Sequence, residues 1–379
     1  MKIALISDAI YPYNKGGKEK RIFEVATRLS KNGHDIHLYC MKWWKGPGNR
    51  IENGINLHAI SKKYPLYSGK RRSMIQALMF GLACLKLIKE DFDIAEVDHI
   101  PFFPLFFLKP VCIIKRKKII ATWHEVWGKS YWQEYLGWRG IFGYLLEKIS
   151  VLMPDEIISV SNYTTKQLKN SLRSKKKIYT IPNGNDFEKI QKIEPSREKT
   201  DVIFAGRLLS HKNIDVLIKS IHLVKKRKYK IKCSIIGEGP EKKNLEALAR
   251  KLNLDKNIEF PGFLEAHDDV YARMKSSKVF VLPSTREGFG VVVVEANACG
   301  IPVITVSHKE NAARDLIEEG NNGFICKLKK EEIANRIIGV LNDDSGKKIE
   351  KRCLDFAKKY GWNKIVDEIE EVYLKWKNK

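Results

Sequence analysis

Short apolar runs of strand length alternate along the chain with longer stretches in which apolar residues recur at helical spacing. In the first half, six runs predict strands, at Lys2–Ile6, His37–Cys40, Ile94–Val97, Ile119–Thr122, Ile157–Val160 and Ile178–Ile181. Between the first two, Gly17–Asn32 predicts a helix that has its apolar residues on one face and ends at Asn32-Gly33. This alternation is typical of βαβ units, in which parallel strands form one sheet.

The same alternation begins again near residue 200. Strands are predicted at Asp201–Gly206, Lys232–Ile236, Ile258–Phe260, Val279–Leu282 and Pro302–Val306, with helices at Ile214–Val224 and Glu241–Leu252. We therefore predict an α/β fold with two Rossmann-like domains facing each other across a cleft. The polar, Lys-rich stretch Asp186–Thr200 is the predicted linker, which gives an N-terminal domain at residues 1–190 and a C-terminal domain at 191–359. The tail at 360–379 predicts a further helix with one apolar face.

The composition fits two domains and indicates an anionic partner. The chain has 379 residues, of which 44% are hydrophobic, and a formal net charge of +24. Residues 1–194 contain 33 Lys and Arg against 18 Asp and Glu, a net charge of +15, and the remainder contains 36 against 27, a net charge of +9. This excess favours nucleic acid or an acidic membrane surface as a partner. The sequence shows no helix-turn-helix, zinc-finger or RNA-binding aromatic motif, which argues against nucleic acid.

Cysteine spacing and hydropathy suggest a location in the cytoplasm. The seven cysteines are far apart and form no C-x-x-C pair, which is typical of reduced thiols. The most apolar run, Ile100–Leu108, has nine residues and two prolines, whereas a membrane-spanning helix needs about 20 residues. The apolar run after Met1-Lys2 is too short for a signal peptide. We expect a cytoplasmic protein, with association at the cytoplasmic face of the membrane left open.

The region from Val279 to Val306 contains the most informative pattern. A Gly-rich turn, Ser284–Gly290, follows one predicted strand and precedes a helix, and the free N–H groups at such a helix start bind phosphate. Glu287 and Glu295, eight residues apart, suit hydroxyl groups better than phosphate, and hydroxyls beside a phosphate indicate a sugar or a ribose. The predicted contacts at the helix start are Gly288, Phe289, Gly290 and Val291.

Three other loops follow predicted strands, where ligands bind in parallel sheets. Arg207 and Lys212, after Gly206, can hold phosphate oxygens, and the alternative is that they are ordinary solvated cations in a basic chain. Gly16-Gly17 would let a phosphate or a sugar approach the backbone, or form an ordinary turn. His124 could bind a sugar hydroxyl or be structural.

Glu287 and Glu295 form an E-x7-E element within Pro-Ser-x-x-Glu-Gly-Phe-Gly and Glu-Ala-x-Ala-x-Gly-x-Pro-Val-Ile, which resembles retaining glycosyltransferases of family 4. Pro182-Asn183-Gly184-Asn185-Asp186 is similar to a turn of the same family. The resemblance implies the GT-B fold, with the last helix packing back on the first domain. It also implies these roles: Gly16 and Gly17 against the donor phosphates, His124 facing the donor sugar, Arg207 and Lys212 on the diphosphate, Gly237 near the base, Glu287 on the sugar hydroxyls and Glu295 on the ribose diol.

The implied activity is sugar transfer with retention, from a UDP-, GDP- or ADP-sugar to a lipid-linked or glycan acceptor, as in cell-surface polysaccharide biosynthesis. No metal or other cofactor is expected, because Arg207 and Lys212 supply the cations and Asp91-x-Asp93 is interpreted as a turn before a strand. Alternatives are a GT-B nucleotide-sugar epimerase and a non-catalytic homologue that binds sugar or membrane. The aromatic segment Trp127–Tyr144 is either buried or a surface for sugar or membrane, and Lys70–Arg72 and Lys115–Lys118 either bind anionic headgroups or are solvated.

Overall fold

The computed structural model of the protein describes residues 1–69, 71–227, 230–342 and 346–377, and the chain divides into two compact units. The first unit contains Met1–Asn183 and the C-terminal segment from Trp362, and the second contains Gly184–Gly361. The division lies within the turn at 182–186. On its first-unit side, Arg21 Nη1 donates to Pro182 O at 2.7 Å, and on its second-unit side, Asn185 Nδ2 donates to Ala357 O at 2.8 Å.

The division therefore precedes the predicted linker Asp186–Thr200. Residues 187–192 form a helix that belongs to the second unit. There Gln191 Nε2 donates to Ala298 O at 2.7 Å, and Lys275 Nζ donates to Gln191 O at 3.0 Å. The high Lys content of this stretch reflects the exposed side of a packed helix, and not a linker between the units.

An eight-stranded sheet forms the centre of the first unit. Its order is β10-β9-β8-β7-β1-β2-β4-β3, and every pair is parallel except β3 with β4, while β5 and β6 form a separate antiparallel pair. The strands are β1 Lys2–Ile6, β2 Asp35–Met41, β3 Asn49–Glu52, β4 Ile55–Ser61, β5 Tyr67–Ser68, β6 Arg71–Arg72, β7 Ile94–Asp98, β8 Lys118–Trp123, β9 Glu156–Ser159 and β10 Lys177–Thr180. The hairpin β3–β4 was not predicted, because its first strand is polar.

Alternate residues of each strand belong to two different cores. Ile3 and Leu5 of β1 pack with α1, whereas Ala4 and Ile6 pack on the other side of the sheet with α2 and α3. The helices are α1 Gly17–Lys31, α2 Met74–Ala83, α3 Phe103–Ile114, α4 Gly128–Leu136, α5 Gly140–Ser150 and α6 Asn162–Asn170. The aromatic segment Trp127–Tyr144 extends over α4 and α5 and is divided, since Trp132 is buried and Trp138 is 75% exposed.

The second unit has a six-stranded sheet of order β13-β12-β11-β14-β16-β18, in which all pairs are parallel. Its strands, with the small parallel pair β15–β17, are β11 Thr200–Ala205, β12 Cys233–Ile236, β13 Ile258–Gly262, β14 Ser277–Leu282, β15 Arg286–Glu287, β16 Val303–Val306, β17 Glu310–Asn311 and β18 Gly323–Cys326. Its helices are α7 Phe187–Lys192, α8 Ile214–Lys226, α9 Lys242–Lys251, α10 His267–Lys275, α11 Val291–Ala298, α12 Lys330–Leu341 and α13 Gly346–Lys358. Short 3₁₀ helices lie at Cys84–Lys89, Gly137–Arg139, Ser210–Lys212 and Ala312–Leu316.

The last helix, α14 (Trp362–Lys377), packs on the first unit. Its apolar face joins the core that contains β1 and α1. The hydroxyl of Tyr373 donates to the Glu96 carboxylate of β7, and Trp376 Nε1 donates to Glu156 Oε2 at 3.0 Å. Among the described residues, no helix combines the length and the apolar composition that crossing a membrane requires.

Candidate functional site

The carboxyl edge of the second sheet brings together residues that the sequence predicts as one site. β11 and β14 are neighbours, so the loops that follow them lie side by side. Lys212 Nζ, in the first loop, lies 2.6 Å from Glu287 Oε1 in the second, and both side chains are largely buried. Arg207 lies exposed in the same loop as Lys212. A charge-assisted contact of this length is strong, so Lys212 and Glu287 form one polar centre.

Backbone contacts fix the two loops independently of this ion pair. The Thr285 N–H donates to His211 O at 2.9 Å. Asn213 Nδ2 donates to Pro283 O at 3.1 Å and to Thr285 Oγ1 at 3.2 Å. Asn213 has a φ of 50°, in the left-handed region that Asn tolerates better than most residues. The positions of Lys212 and Glu287 are therefore set by the loops that carry them.

Gly237 brings the loop after β12 against the loop after β11. A Cβ at position 237 would lie 1.9 Å from Gly206 O, so no larger residue fits, and its φ of +135° also favours glycine. The Leu208 N–H donates to Glu238 O at 2.9 Å between the same two loops. Packing alone thus accounts for Gly237, and its proximity to a nucleotide base stays a prediction.

Gly290 allows the abrupt start of α11. Its φ is +91°, and a Cβ there would lie 2.5 Å from the Ala313 Cβ. Since glycine has no side chain to cap the helix, the backbone N–H groups of Val291 and Val292 remain available to an anion, whereas that of Val293 donates to Gly290 O at 2.9 Å. The ring of Phe289 is buried, with its centroid 6.1 Å from that of Tyr360. A ligand at Phe289 would therefore meet its backbone and not its ring.

Glu295 lies on α11, and a tyrosine holds it. The hydroxyl of Tyr271, on α10, donates to Glu295 Oε1 at 2.8 Å. Tyr271 is buried, and burial together with the nearby Glu295 raises the pKa of its hydroxyl well above the ordinary value. Tyr271 therefore stays a hydrogen-bond donor and fixes the orientation of the Glu295 carboxylate.

In the first unit, a histidine and a carboxylate meet at the carboxyl edge of the sheet. β8, β7 and β1 are neighbours, and each is followed by or ends in a polar residue. His124 Nε2, after β8, lies 3.0 Å from Asp98 Oδ1 at the end of β7. Lys18 Nζ lies 2.5 Å from Asp8 Oδ1 and 3.9 Å from Asp98 Oδ2. His124 therefore belongs to a charged network.

The charges of this network determine the state of Asp98. Burial alone would raise the pKa of its carboxyl, but Lys18 and the hydrogen bond from His124 lower it to about 2. Asp98 is thus ionised at every working pH. An ionised partner on Nε2 orients the His124 ring, which leaves Nδ1 to hydrogen-bond with a ligand.

The glycines at the start of α1 have an acidic neighbour. The Glu19 side chain folds back, so a Cβ at Gly16 would lie 2.3 Å from Glu19 Oε2, whereas Gly17 has open space around it. Burial raises the pKa of Glu19. A phosphate at Gly16 and Gly17 would meet this carboxyl group, so the geometry favours a hydroxyl-bearing part of a ligand there.

The D-x-D segment lies away from both carboxyl edges. Asp93 precedes β7, at the amino end of the strand, and its Oδ2 accepts from the Lys2 N–H at 2.8 Å. Over the described ranges of the chain, no three His, Cys, Asp or Glu side chains cluster as metal ligands do. All seven cysteines are buried and unpaired.

The structure thus joins Lys212 to Glu287 and places Arg207 and the start of α11 at the same edge of the second unit. The sequence did not identify Tyr271, Asp98 or Asp8 as site residues. Asp8 and Asp98 had a usable signal, because each lies at or just after the end of a predicted strand. Tyr271 had none, since it lies within an ordinary helical pattern 24 residues from Glu295.

Two family models match the chain one after the other. The model for glycosyltransferase family 4 matches residues 15–189, and the model for glycosyl transferases group 1 matches residues 185–360. An uncharacterized glycosyltransferase of Haemophilus influenzae is 26% identical over 93% of this chain and 95% of that protein. The phosphatidylinositol N-acetylglucosaminyltransferase gpi3 subunit of Schizosaccharomyces pombe is 25% identical over 97% of this chain and 79% of that protein.

Solved structures share the fold. The Anabaena protein HepE, solved in complex with UDP and glucose, has a TM-score of 0.73 at 18% identity and covers 98% of this chain and 99% of its own. Since the two family models together match residues 15–360 and the fold extends over nearly the whole chain, the protein belongs to the group 1 glycosyltransferases of family 4, with the GT-B fold.

Proposed function

We propose that the protein transfers a sugar from a nucleoside diphosphate sugar to an acceptor hydroxyl, with retention at the anomeric carbon and without a metal ion. The observation that carries the proposal is the pairing of Lys212 with Glu287 beside the start of α11. Cations and backbone N–H groups suit a diphosphate, and the carboxylate suits sugar hydroxyls.

The donor is proposed to bind with its diphosphate between Arg207, Lys212 and the start of α11. Arg207 can bind two phosphate oxygens at once, and Lys212 adds a point charge. These groups interact most strongly as the bond from the anomeric carbon to the phosphate oxygen breaks and negative charge develops on the diphosphate. Glu287 would accept hydrogen bonds from the sugar hydroxyls, and Glu295, oriented by Tyr271, from the ribose diol.

Retention follows if the acceptor approaches the face from which the diphosphate leaves. A bond then forms between the acceptor oxygen and the anomeric carbon, and the acceptor proton moves to a leaving phosphate oxygen. No protein nucleophile is needed in this scheme. In the first unit, His124, with the ionised Asp98 on its Nε2, would hydrogen-bond a substrate hydroxyl through Nδ1.

The names of the relatives suggest which donors and acceptors to test first. HepE was solved with UDP and glucose, and the fission yeast relative is named as an N-acetylglucosaminyltransferase acting on phosphatidylinositol. We therefore propose a UDP-sugar as donor, with GDP- and ADP-sugars as comparisons, and a lipid-linked or glycan acceptor.

Donor binding is tested by the thermal shift of the metal-free protein with UDP, GDP and ADP. A ligand at 100 times its Kd should stabilise the protein by about 2.7 kcal/mol. Arg207→Ala should weaken this shift, whereas Arg227→Ala, which removes an exposed cation at the far end of α8, should not. Equal shifts for both variants would exclude Arg207 from the diphosphate site, and no response to any nucleotide would contradict the proposed function.

Catalysis is tested with the donor alone and with an acceptor, in the presence of EDTA. Turnover only with an acceptor and a product of unchanged anomeric configuration, read by NMR, would support transfer with retention. Conversion of the donor without an acceptor would favour the epimerase, and full nucleotide binding without any turnover would favour a non-catalytic homologue. Loss of activity in EDTA would contradict a metal-independent mechanism.

A further inference from the structure

Exposed apolar side chains are concentrated on one part of the first unit. Of the 19 large apolar side chains that are exposed in the described chain, 14 lie in the segments 74–88, 113–114 and 138–152. Among them, Ile75 is 71% exposed, Phe142 64% and Trp138 75%. We call these three segments the apolar surface. Clustering on this scale marks a binding face, because isolated exposed apolar residues would be scattered.

Helix α2 shows the exposure of apolar side chains most clearly. It has no charged residue, and its inward side chains, such as Phe80, are fully buried. Its outward side chains, including Ile75, Leu78 and Leu82, are apolar as well. A helix that covers a soluble domain normally has a polar outer face, so a helix that is apolar all round indicates contact with a partner or with lipid.

The three segments of the apolar surface lie on the same side of the sheet. α3 packs against both α2 and α5. The inward residues Phe80 of α2, Leu108 of α3 and Val151 after α5 belong to one core cluster. α1 and α14 pack into the other cluster, on the opposite side of the sheet. The apolar surface therefore lies on one flank of the first unit.

The charges around this surface are almost all positive. The segments 71–89, 103–118 and 137–152 contain four, five and two Lys or Arg residues, eleven in total, against one carboxylate, Glu147. Glu147 is buried and accepts from the Trp132 indole N–H at 2.9 Å. Lys109 pairs with Asp155, Lys118 lies over Trp376 and Lys86 donates to Ile60 O at 2.7 Å, but Lys89 lies exposed beside Ile88. Lys70 of the predicted cluster lies outside the described residues.

We propose that the apolar surface docks on an anionic lipid bilayer, with its apolar side chains at the level of the headgroups and acyl chains and its cations on the lipid phosphates. Trp138, with Arg139 stacked 5.4 Å from its ring, suits this boundary, where aromatic side chains concentrate. A second copy of the chain fits poorly, because a two-fold interface would bring the same cations together.

The docked surface would adjoin the polar edge of the first unit. Asp8, after β1, accepts from Gln76 Nε2 of α2 at 3.1 Å and lies 3.5 Å from Arg72 Nη2. Lys18 links Asp8 to Asp98, the partner of His124. The start of α2 is thus connected to the network of His124 through Asp8, Lys18 and Asp98. This contact deepens the proposed function, on which it rests, by favouring an acceptor that is lipid-linked and reached from the bilayer.

Co-sedimentation with vesicles tests the docking without donor or acceptor. The whole protein should bind vesicles of phosphatidylcholine and phosphatidylglycerol in equal parts, bind phosphatidylcholine vesicles at least about tenfold more weakly, and dissociate as salt rises. Leu78→Glu should weaken binding at least about tenfold. The matched control is Leu374→Glu, since Leu374 of α14 is 40% exposed against 39% for Leu78 but lies on the opposite side of the sheet. Circular dichroism confirms that each variant is folded.

The outcomes separate the docking from the proposed function. Failure of the whole protein to bind, equal losses in both variants, or a dimer that Leu78→Glu dissociates would overturn the docking. If nucleotides shift the thermal stability while vesicles do not bind, only the docking fails. If vesicles bind and no nucleotide does, the proposed function fails, and with it the inference about the acceptor.

Discussion

Lys212 and Glu287 place opposite charges 2.6 Å apart, and each limits what the other can do. While Glu287 is present, the pair adds no net charge to the edge of the second unit, so attraction of a diphosphate depends also on Arg207 and the start of α11. If a diphosphate contacts Lys212 as proposed, Glu287 Oε2 would be the oxygen that accepts from a sugar hydroxyl. In the proposed function, the ion pair would therefore couple the phosphate end of a donor to its sugar end.

Glu287→Gln should lower kcat by about a hundredfold or more, because the amide keeps the shape of the side chain but cannot stabilise charge on the reacting sugar. The thermal shift with UDP should change little, since Lys212 and Arg207 remain. The control is Glu259→Gln, which removes a carboxylate that is also paired at 2.6 Å, to Arg273, in the same unit. Full activity of Glu287→Gln would remove this residue from the sugar site.

Asp98→Asn should lower kcat/KM about tenfold or more, because the neutral amide no longer holds the His124 ring in one orientation. His124→Ala should be at least as damaging, and adding Asp98→Asn to it should cause little further loss. Kinetics of the two single variants and the double variant give the comparison. Losses that multiply would show that Asp98 acts independently of His124.

At the scale of elements, the sequence predicted those strands and helices whose formation depends on residues close together in the chain. The buried strands and α11 follow from apolar runs and from Gly290, whose φ of +91° only glycine readily adopts. The pairs Asp98–His124 and Tyr271–Glu295 were missed, because they join elements 26 and 24 residues apart. Such pairs depend on strand order and helix docking, which periodicity alone does not specify.

The docking of α14 gives the prediction at this scale. Tyr373 is fully buried in the first unit and donates to Glu96, so Tyr373→Ala leaves a cavity and removes one of the hydrogen bonds to this carboxyl group. Its unfolding free energy should fall by about 3–5 kcal/mol. The next residue, Leu374, is 40% exposed, and Leu374→Ala should cost about 0.5 kcal/mol or less. Urea unfolding followed by circular dichroism measures both, and equal losses would contradict the packing of α14.

At the scale of the whole molecule, a chain with a net charge of +24 contains buried carboxyl groups. Burial raises the pKa values of Glu96 and Glu147 to about 7, despite the hydrogen bonds and cations that oppose it. Burial lowers the pKa of His99 well below its ordinary value, so this histidine acts in the opposite direction on stability. The pH dependence of stability that comes from one of these groups is therefore measured with a variant that replaces that group alone.

Glu96→Gln should become more stable relative to the wild type as pH rises from 5 to 8. In the folded protein the pKa of Glu96 is about 7, above the ordinary value of 4.5. The folded wild type therefore keeps a proton that the unfolded chain has lost, and its unfolding free energy falls as pH rises from about 4.5 to about 7. The loss approaches about 1.4 kcal/mol for each unit of the pKa difference. Gln has no proton to release, and the hydroxyls of Thr122 and Tyr373 can hydrogen-bond its amide. Urea unfolding of both proteins at the two pH values gives the result, with Glu371→Gln on the exposed side of α14 as control. A stability difference that stays constant with pH would show that Glu96 is ionised throughout this range.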